Sequence, residues 1–308
     1  VSHVTLFYQG TDMTPYVDIT KCVYRDVAGG RCDSLDMELD QAAAWHRWGP
    51  QVDDEISVVQ GGLETGVLYL NTVWPEDGRY RMVATGLKAA ARRGAWKSYR
   101  DRTLEDIMRA CAAECGMDFG LYGLEGKLRY PYLERRDEGC AAFLDRLMAL
   151  EGGVLKVMGG RLCGIGIAWA QEQAGAKTVL LSADQRGAQH IRQGGNQWAG
   201  LTVRTPWCEA SARDSGALGG IRPVRTDTPA RDAAQAGRWA RGLLLAHNRQ
   251  AEQLRLNTEL DIGMTAMARV DVQGGTGADG AWLVDEAAHD LVNGKTQTTL
   301  LRCVYSVQ

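Results

Sequence analysis

Residues 128–162 constrain the fold of this chain more than any other stretch. An extended run, Leu128-Arg-Tyr-Pro-Tyr-Leu-Glu-Arg-Arg-Asp137, leads into Glu138-Gly-Cys-Ala-Ala-Phe-Leu-Asp-Arg-Leu-Met-Ala-Leu-Glu-Gly-Gly153 and then Val154-Leu-Lys-Val-Met-Gly-Gly-Arg-Leu162. Cys140, Phe143, Leu144 and Leu147 recur at the spacing of one helical face, which predicts an amphipathic helix entered near Asp137. Gly152 and Gly153 supply the freedom for positive φ that commonly ends a helix. The residues after them read as a hairpin turning at Gly159-Gly160. A strand, a helix and a hairpin in this order define a small α+β unit.

The flanks read differently. Residues 1–88 alternate. Leu35, Met37 and Leu39 share one face, Ile56 and Val58 another, and Tyr80, Met82 and Ala84 a third after a turn at Pro75-Glu-Asp-Gly78. Short strands with turn signals at this spacing predict a small barrel or sandwich. Residues 89–170 form the α+β unit. Its first helix opens at Thr103, with Asp106 in the capping-box position and Leu104, Ile107, Met108, Cys111 and Cys115 on the apolar face up to Gly116. Residues 171–308 return to strands: Thr178–Ser182, Gln189–Arg192, Leu201–Thr205, a run alternating from Leu254 to Leu260, Arg269–Val272, Ala281–Leu291 and Lys295–Val304. Asn293-Gly294 is a hairpin signal, and Arg213–Thr226 reads as a loop. A long helix near 229–247 starts with Thr228 as cap and Pro229 in the first turn, with Ala233, Ala236, Trp239, Ala240, Leu243 and Leu244 on its inner face and Asn248 as its stop. The predicted class is α+β, mainly β: two small antiparallel barrel-like domains, 1–88 and 171–308, with the α+β domain 89–170 between them or inserted. Asp77-Gly78-Arg-Tyr80-Arg-Met82 and Asp279-Gly280-Ala-Trp282-Leu-Val284 echo one another, as two related barrels would require.

Bulk properties narrow the function classes. The 308 residues suffice for two or three domains, and a net charge of −3 does not support a chain built around nucleic-acid binding. No basic and apolar leader opens the sequence, and no apolar run approaches the ~20 residues of a membrane span. A cytosolic site of synthesis is the expectation. The eight cysteines, Cys22, Cys32, Cys111, Cys115, Cys140, Cys163, Cys208 and Cys303, show no CxxC, and no histidine lies near the Cys111/Cys115 pair. Buried free thiols are expected in preference to disulfides or zinc.

Catalytic patterns dissolve on inspection. Gly275-Thr-Gly277-Ala-Asp-Gly280 spells G-x-G-x-x-G, but strand alternation follows it where the dinucleotide motif needs a helix. It reads as a hairpin loop. His289 and Asp290 are strand neighbours on opposite faces, so they form no dyad. His46, between Trp45 and Trp48, reads as a turn or surface residue. The acid pairs Asp53/Asp54 and Glu134/Asp137 fit a solvated face more simply than a glycosidase pair, whose carboxyl separation the sequence does not encode. The basic stretch Arg92, Arg93, Lys97, Arg100 and Arg102, interleaved with Trp96 and Tyr99, reads as a surface segment, with weak phosphate contact as the sharper alternative.

The order of these motifs resembles the baseplate hub proteins of contractile phage tails, the late control D family, and the amino-terminal half of type VI secretion spike proteins. The resemblance rests on the helix at Thr103 and Ile107, on "FL-x-RL" at Phe143, Leu144, Arg146 and Leu147, and on "DG-x-aromatic" at Asp279, Gly280 and Trp282 with His289 after it. Thr296, Thr298 and Thr299 fall in the returning strand where family members often carry threonine. The entry to the second helix departs from the family, since Tyr132-Leu-Glu-Arg-Arg-Asp137 keeps only the Glu and Asp of the usual Gln-x-x-Glu-Ser-Asp. No needle repeat precedes Gln308, so a needle is expected from another chain. The resemblance implies a structural protein rather than an enzyme, with no cofactor and with these residues serving structure. It implies a homotrimer joining a six-fold tail tube to a three-fold spike. The implied partners are the tube protein, the spike protein, other baseplate components and the tape measure protein. DNA passes only transiently, no stable membrane insertion is expected, and the particle is built in the bacterial cytoplasm. Two alternatives are a tail-associated cell-wall hydrolase or endopeptidase on the same scaffold, and a β-rich binding module.

Overall fold

Alternation becomes strand wherever one face finds a core. Ser34–Asp40 buries Leu35, Met37 and Leu39 and turns Asp36 and Glu38 outward. Glu55–Gln60 buries Ile56 and Val58, and Arg79–Thr85 buries Tyr80, Met82 and Ala84. The computed structural model describes residues 3–40, 47–76, 78–182, 186–224, 226 and 229–308. Trp45, His46, Asp77 and Thr228, on which sequence expectations rested, lie outside the described residues.

One long sheet dominates. Its path runs Ala188–Arg192, Glu252–Glu259, Lys295–Arg302, Gly280–Asp290, Asp18–Val27, Ser34–Asp40, Arg79–Thr85, Leu68–Glu76, Glu55–Gln60, Thr5–Tyr8, Thr11–Asp12. Gly280–Asp290 is the hinge strand of this order. Its first part pairs with Arg269–Gln273, from Leu283↔Arg269 to Gly280↔Val272. Its last part pairs with Asp18–Val27, from Glu286↔Val27 to Asp290↔Val23. A bulge between Val284 and Glu286 separates the two, as expected where a strand is re-aimed. Each half of the sheet covers its own core. Leu6, Leu35, Met37, Ile56, Leu68 and Met82 fill one, and Leu254, Leu256, Val270, Trp282, Val284 and Leu300 fill the other. Among the described residues the sheet path does not close on itself, so neither half forms a closed barrel there.

The middle of the chain folds around three helices: α1 (Leu104–Cys115), α2 (Cys140–Leu150) and the short α3 (Ile167–Glu172). The capping box at Thr103 is complete: its Oγ1 accepts from the Asp106 amide at 3.1 Å, and Asp106 Oδ2 accepts from the Thr103 amide at 3.2 Å. Such a cap stabilises a helix by ~1 kcal/mol. Gly116 ends α1 at φ +65°, and Gly152 follows α2 at φ +74°. The hairpin Gly153–Met158 and Arg161–Gly166 turns through Gly159 and Gly160, both at positive φ, and Asp118–Tyr122 joins it in parallel. A fourth helix, α4 (Ala233–Asn248), packs its buried Ala236, Trp239, Ala240 and Leu244 into the same core as α1 and α2. The three-stranded sheet of Glu209–Arg213, Gly200–Arg204 and Ile221–Val224 joins that core through Leu201, Val203 and Ala212.

Several expectations are corrected. α2 starts at Cys140 and not near Asp137, because Asp137 takes φ +50° in a bulge between Arg135 and Glu138. α4 starts at Ala233, because Asp232 is its cap, accepting from the Gln235 amide at 2.9 Å. Pro229 therefore precedes the helix, and Ala233 is exposed rather than on the inner face. Residues 213–226 are not all loop, since Ile221–Val224 pairs in parallel with Gly200–Arg204. Pro223 is tolerated there because the strand lies on a sheet edge.

Candidate functional site

The residues that carry the family-like motifs are scattered through the fold rather than gathered in one cleft. Ile107, Leu144 and Leu147 are core residues. Phe143 stacks on Tyr99 with ring centroids 5.3 Å apart. Arg146 lies over the Phe143 ring and pairs with Glu138 at 2.6 Å. Asp279 organises its own turn, accepting from the Gly275 amide at 2.8 Å and the Thr276 amide at 3.1 Å. Gly280 takes φ +129°, a backbone conformation in which an L side chain is strained. Trp282 is fully buried, with Nε1 donating to the Ala278 carbonyl at 2.8 Å and the Arg302 guanidinium over its ring.

His289 sits where the two halves of the sheet meet. It faces Tyr24 on one side and Thr296 on the other. Its ring stacks on Tyr24 at 6.3 Å, and Nδ1 lies 3.0 Å from Thr296 Oγ1. Burial holds its pKa below the ordinary value, so the ring is neutral. This is the environment of a packing histidine.

The catalytic-looking pairs are equally committed elsewhere. Gly275–Gly280 connects two antiparallel strands, so no helix N-terminus faces a phosphate there. Glu134 is held by Arg136 at 2.5 Å, and this hydrogen bond keeps its carboxyl below the usual range, in the ionised form. Asp54 accepts from Tyr8 Oη at 2.6 Å and from the Gln51 amide at 2.7 Å, while Asp53 accepts from the Ala89 amide at 2.6 Å. Among the described residues no group of three His, Cys, Asp or Glu side chains is arranged to hold a metal, and no helix is long and apolar enough to cross a membrane. The basic stretch divides. Arg92 folds back onto Asn71 and Thr85, while Lys97, Arg100 and Arg102 line a shallow groove of about 560 Å³ with Arg109 of α1.

Two buried polar junctions tie the parts of the chain together, and both escaped the sequence reading. In the first, Lys156 donates to Asp26, to both oxygens of Asp33 (3.1 and 3.2 Å) and to the Val27 carbonyl at 3.2 Å. Tyr24 Oη and the Val27 amide complete Asp33, and the Ala266 amide donates to Asp26. All three ionisable groups are buried. Burial works against the Lys156 charge, but the two carboxylates outweigh it and raise its pKa. Burial raises Asp33, with Lys156 pulling the other way. In the second junction Glu151, at the end of α2, accepts from Tyr130 Oη at 2.8 Å, Trp239 Nε1 at 2.7 Å and Arg238 Nε at 3.2 Å. A lysine inside the apolar run Val154–Met158 was the only sequence signal of the first junction.

The surface carries the remaining candidate. The strand Arg129–Glu138, paired on one side with Ala95–Thr103, lines a groove of about 530 Å³ together with Trp207, Ala230 and Arg231. Trp207 is 72% exposed and Tyr132 is 48% exposed, so the groove has aromatic walls open to solvent. Aromatic side chains in this setting are typical of protein contact surfaces.

No model of a known protein family matches the chain, and no curated protein matches it. Solved structures do. A tail protein from Neisseria meningitidis superimposes with a TM-score of 0.75 at 12% identity, covering 98% of this chain and 96% of that one. The 43 kDa tail protein of prophage MuSo2 from Shewanella oneidensis does so with a TM-score of 0.71 at 14% identity, covering 98% and 97%. An E. coli type VI secretion component, described as structurally similar to the T4 tail proteins gp27 and gp5, gives 0.58 at 13% identity, covering 98% and 77%. At these identities the likeness is one of fold.

Proposed function

We propose that this chain is a structural component of the baseplate in a phage tail or tail-derived injection machine, acting as the hub of the late control D type. The end-to-end overlap of fold with tail proteins, in both directions of coverage, carries this reading. A fold shared over the whole length leaves the same scaffold in place from the first strand to the last.

Two further features support it. The long sheet has two halves, each over its own core, joined through Gly280–Asp290. In the proposal these are two barrel-like units, within 1–88 and 171–308, with 89–170 as the α+β unit between them. Three chains then present six similar units to a six-fold tube and one three-fold face to a spike. The buried junctions at Lys156 and Glu151 hold the units in fixed relation, as an adaptor requires. The proposed partners are the tube protein, the spike, neighbouring baseplate components and the tape measure protein. DNA passes transiently through the assembled ring, the chain inserts in no membrane, and it resides in the virion tail after assembly in the host cytoplasm.

The test is placement in the particle. Antibody or gold label on this chain is expected at the spike end of purified tails by electron microscopy. Label along the tail shaft, or protein found only outside particles, contradicts the proposal.

A further inference from the structure

The strand Ala95–Thr103 is paired on one side. Its partner is Arg129–Glu138, and the two form a sheet of two strands. Among the described residues no backbone–backbone hydrogen bond reaches the opposite edge from Ala95 to Arg102. Such an edge presents a row of free N–H and C=O groups. Asp101, at φ +49°, breaks the extended run, so the regular part of the free edge is Ala95–Arg100.

That edge borders the groove of about 560 Å³. Lys97, Arg100 and Arg102 line it from the strand, and Arg109, Ala110 and Ala113 line it from α1. No residue of Arg129–Glu138 lines it, so it lies on the unpaired side of the strand. α1 is fixed alongside: Tyr99 Oη meets Cys111 Sγ at 3.4 Å, and Lys97 pairs with Glu114 at 3.2 Å. The small side chains of Ala110 and Ala113 leave room beside the strand. A free strand edge in a groove is where an extended peptide adds as a further strand.

Charge selects the occupant. Four cations line the groove against one acid, Asp106. Asp106 is committed to the fold, accepting from the Thr103 amide at 3.2 Å and lying 3.6 Å from Arg109. Glu114 divides its charge, giving one oxygen to Lys97 and the other to the buried Arg135 at 2.8 Å. Arg100 and Arg102 are exposed and make no ion pair among the described residues. Like charges on facing edges repel, so a second copy of this edge is a poor partner, whereas a strand carrying carboxylates is attracted. Nucleic acid fits less well. The aromatic residue lining the groove is Tyr99, which is buried, and the exposed Trp96 does not line it, so no platform is offered on which a base could stack.

We propose that the free edge of Ala95–Arg100 takes up an extended acidic segment of a partner protein, which adds to the strand through its backbone and sets carboxylates against Arg100 and Arg102. Backbone pairing supplies the geometry, and the cations supply the selection.

The test uses the full chain and a fluorescein-labelled nine-residue peptide alternating glutamate and valine, the length of Ala95–Thr103. Fluorescence anisotropy is expected to show saturable binding, and hydrogen exchange to show protection gained within residues 95–100. N-methylation of alternate peptide amides on the pairing edge is expected to weaken binding by about tenfold or more, as is the double variant Arg100→Glu, Arg102→Glu. The methylated peptide and the exchange measurement use the wild-type chain, so they decide the matter even if the variant folds poorly. Absence of binding, equal binding of the methylated peptide, protection elsewhere than residues 95–100, or tighter binding of a nine-nucleotide single-stranded DNA each overturn the proposal.

Discussion

Gly152 and Gly242 touch backbone to backbone. A Cβ on Gly152 would lie 2.8 Å from the Gly242 Cα, and one on Gly242 would lie 2.5 Å from the Gly152 nitrogen. The end of α2 and the middle of α4 approach this closely because neither residue carries a side chain. Glu151, beside the contact, then reaches Trp239 and Arg238 on the same face of α4.

Gly242→Ala is therefore expected to destabilise the chain by about 1–3 kcal/mol, the range of overpacked cores. Gly237, also on α4, is a built-in control: a Cβ there meets only the Ala210 Cβ at 3.8 Å. Gly237→Ala is expected to raise stability by up to ~1 kcal/mol through helix propensity. Thermal melts of both variants check the pair. A neutral Gly242→Ala contradicts the contact.

Lys156→Met removes the ammonium that pairs with both Asp26 and Asp33. Breaking a buried ion pair from one side costs ~3–5 kcal/mol, because the partner charge stays buried. The deficit depends on pH. Without the ammonium, Asp33, already raised by burial, protonates more readily in the folded than in the unfolded state. A raised carboxyl pKa adds stability at low pH that is lost as pH rises through the folded value. Urea unfolding is expected to show a smaller deficit near pH 4 than near pH 7, both taken as approximate points around the ordinary carboxyl range. An equal deficit at both contradicts the assignment.

His289 gives the opposite dependence. Its folded pKa is lowered by burial, so the unfolded chain takes up a proton first. Its contribution is complete above the ordinary histidine value of about 6.5 and is lost as pH falls below it. His289→Phe retains a ring against Tyr24 and is expected to flatten the dependence of Tm on pH in that window. An unchanged slope assigns the effect to other groups.

Strands with a one-sided core were legible because burial imposes a period of two: Ser34–Asp40 and Arg79–Thr85 alternate strictly. Asp18–Val27 was not read as a strand. Lys21, Arg25 and Asp26 break its pattern, and the buried Asp26 makes sense only with Lys156, 130 residues away. The capping box at Thr103 was legible because both partners lie within one turn. The start of α4 was misplaced because Thr228-Pro229 carries the same local signal as Asp232, and local signals do not rank competing caps. Gly242, Glu151 and Arg135 act through contacts with distant segments, and nothing near them in sequence announces those partners. The motif residues were legible as positions; their scatter through the fold, as core, turn and sheet-junction residues, required the structure.

The central claim is a trimeric hub, and the mass of the chain in solution tests it most directly. Light scattering on the purified 33.6 kDa chain, alone and mixed with its spike protein, is expected to give a stable species of three copies, either unaided or with the spike bound. A monomer under both conditions contradicts the account.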